Sequence, residues 1–230
     1  MKKSMRMRWI SLLAAASLAI AVPAPVAAAK TGTASASNSE AESNSNLTKA
    51  GHPKSVTFRG IKWGSTLEDV EASGILDGKT EETDYSYDDE GKSLFVGGLS
   101  VADKNANAIL YFNADGQFCS GGYVLDEQHF NAQNDYLDFR DIETELTKKY
   151  GDPSRIEDEW TDDFYKGDES RYGMAISLGE LSLLRRWRAR DSSSIVLNCR
   201  GDNAEITTVI VYYAPISIHQ QPDKDEDDGL

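Results

Sequence analysis

An α+β fold, an antiparallel sheet of hairpins with one short and one long helix on one face, is predicted by three features of the sequence. Short apolar runs at 108–113 and 117–125 flank Ala114-Asp115-Gly116, and Asp-Gly between such runs marks a hairpin. In residues 131–150 Tyr136, Phe139, Ile142, Leu146 and Tyr150 recur every three or four positions, which lines one face of a helix. Residues 206–213 are almost wholly β-branched or aromatic, the composition of a half-buried strand.

The elements follow in order. Residues 55–64 read as a short strand ending in a glycine turn, and Ser65-Thr66-Leu67-Glu68 as a capping box opening a short helix. Leu67 and Val70 face inward on that helix, and Gly74 ends it. Strands at 83–87 and 92–97 flank Asp88-Asp89-Glu90-Gly91, and the hairpin at 108–125 comes next. The long helix carries Asp135, Asp138 and Asp141 towards its start and Lys148 and Lys149 at its end, complementing its dipole. Gly151 and Pro153 stop it. Strands at 154–160, 183–190, 194–200 and 205–214 complete the chain, with a polar stretch up to Gly179 between the first two. Strand, helix and strands occur twice in similar order, the pattern of a duplicated helix-plus-meander unit.

Outside this domain the sequence changes character. Residues 1–29 combine Lys2, Lys3, Arg6 and Arg8, an apolar run at 9–22, and small residues after Pro23 and Pro25, the three parts of an export signal. The run is shorter than the roughly 20 residues that a membrane-spanning helix needs. Residues 30–53 are rich in Ser, Asn and Ala and read as a tether, residues 54–218 as a single domain, and residues 219–230 as an acidic tail. The expected location is secreted or cell-envelope, with no stable membrane insertion once the signal is removed.

With 38 acidic residues against 24 Lys and Arg, the formal charge is −14. Such a chain is repelled by phosphate backbones, so a nucleic-acid partner is excluded. The even count of cysteines in an exported chain predicts a disulfide between Cys119 and Cys199. It would close a loop of about 80 residues and stabilise by about 4–5 kcal/mol in the chain-entropy account.

Catalytic chemistry finds little support. His52 lies in the tether, His219 at the tail, and His129 just before the long helix, where it reads as a boundary residue. No histidine pair has metal-ligand spacing, and neither a Gly-x-Ser-x-Gly elbow nor a phosphate-cradling loop is present. The acids Asp84, Asp88, Asp89 and Glu90 do not match a calcium loop and read as a charged hairpin tip. No catalytic residue, metal or cofactor is therefore assigned, and the expected activity is binding without turnover. The alternatives are a glycosidase-like hydrolase working through paired carboxylates, and a structural envelope component.

One motif runs against the acidic background: Leu184-Arg185-Arg186-Trp187-Arg188-Ala189-Arg190. On a strand, Arg186, Arg188 and Arg190 share one face, with Arg185, Trp187 and Ala189 on the other. If Trp187 faces the helices, three guanidiniums lie on the opposite face, where cross-strand pairing with Glu157 and Glu159 is the favoured account. The other account is a docking surface for a protein or glycan with acidic groups, which bidentate guanidiniums suit.

Trp63-Gly64-Ser65-x-x-Glu68-x-Val70, with the helix end Leu146-x-x-x-Tyr150-Gly151-x-Pro153, resembles small bacterial extracytoplasmic α/β domains. These are of the β-lactamase-inhibitory-protein-like and outer-membrane-assembly-lipoprotein-like kinds, together with uncharacterised secreted relatives. The resemblance runs by element order over residues 58–213 and implies a binding protein rather than an enzyme. The chain lacks the lipoprotein type's anchoring cysteine and the inhibitor type's disulfide within each repeat, so no binding residue is carried over.

Overall fold

The computed structural model of the chain describes residues 53–76, 85–88, 91–127 and 129–219. The signal, most of the tether and the acidic tail lie outside the described residues, as do Asp84, Asp89 and Glu90 of the charged hairpin tip. The described residues form an α+β fold around one antiparallel sheet. Its strands are β1 (Tyr85–Asp88), β2 (Gly91–Val101), β3 (Lys104–Asn113), β4 (Phe118–Leu125), β5 (Arg155–Trp160), β6 (Leu181–Arg188), β7 (Ser194–Asp202) and β8 (Glu205–Tyr213). Across the sheet they run β1-β2-β3-β4-β8-β7-β6-β5. The helices are α1 (Leu67–Ala72), α2 (Ala132–Tyr150), α3 (Tyr172–Ser177) and α4 (Ile216–His219).

Alternation along the strands divides the apolar residues between two faces. On one, Leu94, Leu110, Tyr123, Ile210, Leu197, Leu183 and Trp187 join Val70 of α1, the Tyr136–Phe139–Ile142–Leu146 stripe of α2, and Ile176 of α3 in a single core. On the other, Ile109, Val124, Val196, Val209 and Val211 form a second buried set outside that core cluster.

Several boundaries differ from expectation for identifiable reasons. Residues 55–64 form no strand; instead Val56, Phe58 and Ile61 insert individually into the core. The cap of α1 sits one residue further on: Thr66 Oγ1 accepts from the Asp69 amide and Asp69 Oδ2 from the Thr66 amide, each at 3.2 Å. With Thr66 rather than Ser65 as the N-cap, Asp69 stands at the third helical position in place of Glu68 and closes the same reciprocal ring.

β2 does not end at Gly97. It passes through a bulge between Val96 and Leu99 and turns at Ala102-Asp103, both at positive φ (48° and 60°). A two-residue hairpin of this hand needs positive φ at both central positions. β7 and β8 meet in the same way at Asn203-Ala204 (51° and 68°). The polar stretch before Gly179 contains α3, which sequence reading missed.

The expected Cys119–Cys199 disulfide is absent: both are buried free thiols. The register explains this. The Cys119 carbonyl accepts from the amide of Ala214, whereas Cys199 lies opposite Thr208. Those rows are roughly 20 Å apart along β8 at about 3.4 Å per residue, and a bridge requires Cα atoms about 4.4–6.8 Å apart.

Candidate functional site

β6 reads Leu-Ser-Leu-Leu-Arg-Arg-Trp-Arg, and its burial alternates strictly from Leu181 to Arg188. The core-facing members are Leu181, Leu183, Arg185 and Trp187; Ser182, Leu184, Arg186 and Arg188 face away from the helices. Adjacent arginines therefore enter different environments.

Arg185 is only 4% exposed. Its Nε donates to Glu143 Oε1 of α2 and its Nη1 to Asp158 Oδ1 of β5, both at 2.6 Å. The guanidinium lies 5.3 Å from the centre of the Phe139 ring. Burial alone would lower its pKa, but the Asp158 and Glu143 carboxylates overcome that and raise it. This arginine ties α2 to two strands. Trp187 faces the helices as expected, and its Nε1 donates to the Gly151 carbonyl at 2.9 Å, at the end of α2.

On the opposite face Arg186 sits across from Arg155 on one side and Val196 on the other, and Arg188 across from Ser194. Arg190 lies past the end of β6, where its amide donates to the Pro53 carbonyl at 3.0 Å. Arg188 and Arg190 are exposed and Arg186 is half-buried. Among the described residues none of the three joins an ion pair: of the expected partners, Glu157 is taken by Arg155 of its own strand and Glu159 lies opposite Ser182, towards the other end of β6. The Nε of Arg186 is buried without an acceptor. What the structure brings together here is a cationic strip that begins on a strand and continues into the β6–β7 turn.

A second cluster was not foreseen. His129 Nε2 lies 2.7 Å from Asp138 Oδ2, and Lys104 Nζ lies 2.7 Å from Asp138 Oδ1 and 3.1 Å from Asp141 Oδ2. Asp138 is buried at 6% exposure on the inner side of α2. The hydrogen bond from Lys104 to Asp138 is the largest influence raising the lysine pKa. Burial raises the pKa of nearby Asp135, an effect the charge of His129 partly offsets. Among the described residues His129 has Asp138 as its hydrogen-bond partner and no hydroxyl or thiol nucleophile; the pair ties the segment before α2 to the helix, and Lys104 joins Asp138 to the start of β3. No local pattern could reveal it, because Lys104 arrives from a separate hairpin.

A groove of about 450 Å³ lies between the second half of α2, the β2–β3 turn and β8. Apolar side chains such as Val101, Leu146 and Ile210 line it, and Glu145 is its one carboxylate, so no acid pair converges there. Among the described residues no cluster of three His, Cys, Asp or Glu could hold a metal ion, and no helix is long and apolar enough to cross a membrane. No protein-family model, curated protein or solved structure matches the chain.

Proposed function

We propose that this chain is an exported binding domain that recognises acidic groups of a partner through Arg186, Arg188 and Arg190. The observation that carries this reading is a strip of three arginines without carboxylate partners among the described residues, in a chain whose acids outnumber its Lys and Arg by 38 to 24. Abundant carboxylates make pairing easy, and Arg185, one residue away, holds two of them. Planar guanidiniums left free favour bidentate contact with carboxylate, sulfate or phosphate on a protein or glycan. The strand order supports a duplicated unit: β1-β2-β3-β4 and β8-β7-β6-β5 meet at the β4–β8 seam, with α1 preceding the first four strands and α2 the second four. In that arrangement the strip belongs to the second unit.

The test is affinity capture from native envelope and culture fluid, with the chain beside its Arg186→Glu/Arg188→Glu/Arg190→Glu variant. The expected result is a partner retained by the first and lost by the second, with circular dichroism unchanged. Equal capture by both sinks the assignment to this strip.

A further inference from the structure

Among the described residues β5 forms one edge of the sheet and pairs only with β6. The Thr161 amide donates to the Glu180 carbonyl at 2.8 Å, which sets the phase of the ladder. In an antiparallel pair the residues alternate between bonding inward and pointing outward. Arg155, Glu157 and Glu159 therefore bond to β6, while the N–H and C=O groups of Ile156, Asp158 and Trp160 point away from the sheet, unpaired by any described strand.

We propose that β5 is a strand-addition site, accepting an extended segment of a partner protein in which apolar and basic residues alternate. The edge is accessible, since Arg155, Ile156, Asp158 and Glu159 are all exposed. Proteins commonly guard such edges with charge, but this one also presents Ile156 at 60% exposure. An incoming strand gains backbone hydrogen bonds from the outward groups and selectivity from side chains on its two faces. On the face of Ile156 an apolar residue covers the isoleucine. On the opposite face a Lys or Arg meets Glu159, an exposed carboxylate that joins no ion pair among the described residues. The remaining acids are engaged, Glu157 by Arg155 and Asp158 by Arg185. A second copy is the wrong occupant: β5 carries Glu157, Asp158 and Glu159 against Arg155, and like charges in facing strands repel.

The site is independent of the arginine strip, and its test distinguishes the two. The probe is a synthetic peptide alternating Val and Lys, titrated calorimetrically into the full chain, with the same peptide carrying Glu for Lys as control. The Lys peptide binds and the Glu peptide binds at least about tenfold more weakly, a difference of about 1.4 kcal/mol. Ile156→Pro removes one outward N–H, leaves the inward bonds in place, and abolishes binding while circular dichroism is kept. Should Ile156→Pro unfold the chain, the exposed Glu159→Lys substitution decides by reversing the preference between peptides. The arginine-strip triple variant keeps peptide binding. Absence of Lys-peptide binding, equal binding of both peptides, binding by a folded Ile156→Pro chain, or self-association of the chain through β5 overturns the proposal.

Discussion

Arg185 and Arg186 differ by one position and one face, and that difference puts the first in the core and the second on the side away from the helices. Arg185 stands in the core between Glu143 and Asp158, where removing it would strand a largely buried carboxylate. Arg186 has a buried Nε without an acceptor and a like-charged residue opposite. The two thiols are equally divided. Cys119 packs at the β3–β4 bulge with Sγ 3.6 Å from the Tyr111 carbonyl, and Cys199 belongs to the main core. Desolvation raises their pKa values to about 11 and about 12, so both remain protonated and unreactive near neutral pH. An aromatic disulfide reagent at pH 8 is expected to label neither in the native chain and both, without reductant, in denaturant. An unreduced denatured chain that shows no thiol would mean that the cysteines are bridged and the register is wrong.

At the scale of elements, α3 is held by close backbone approaches rather than by its own sequence. A Cβ on Gly173 would lie 2.2 Å from the Ala132 carbonyl oxygen at the start of α2, and one on Gly201 of β7 would lie 1.9 Å from the Ile176 carbonyl oxygen. α3 is wedged between the two, with the Gly173 amide donating to Gln133 Oε1 at 2.9 Å. Gly173→Ala is expected to destabilise by about 2–3 kcal/mol, because backbone must move to admit the methyl group. Gly97→Ala meets only ordinary contacts near 3.5 Å and should cost no more than about 1 kcal/mol. Urea unfolding of the two variants checks this, and equal midpoints would refute the wedge. The same feature explains why α3 escaped sequence reading. Six residues with a glycine at the second position carry neither a long periodic stripe nor a side-chain cap, and what holds them comes from α2 and β7. α2 was readable over 131–150 because its apolar stripe lies within that run and its stop signals, Gly151 and Pro153, follow directly after it. The arginine strip was visible in the alternation of β6, whereas its lack of carboxylate partners among the described residues depends on where Arg155 and Arg185 reach in three dimensions.

Over the whole molecule, the two four-strand runs are joined by more than the β4–β8 ladder. Phe58, from the first part of the chain, sits over the seam with its ring 4.9 Å from Tyr123 of β4 and 5.6 Å from Tyr212 of β8. Glycine at 121 leaves it room, since a Cβ there would lie 2.7 Å from the Phe58 ring. Residues 53–56 then fasten to the far β6–β7 turn: the Val56 amide donates to Ser193 Oγ at 3.0 Å, and the amides of Arg190 and Asp191 donate to the Pro53 and Lys54 carbonyls. The first run therefore cannot loosen without opening the end of the second, which makes both one cooperative unit despite their similar layout. Trp63, stacked on Phe118 at 5.0 Å, reports on one side of the seam, and Trp187 in the core of β6 on the other. In variants that keep only Trp63 or only Trp187, with the other tryptophans changed to Phe, the fluorescence and circular-dichroism midpoints in urea should coincide within each variant. A Trp63 transition displaced from the backbone signal would show that the runs unfold separately, and that the contacts of residues 53–58 across the seam are too weak to couple them.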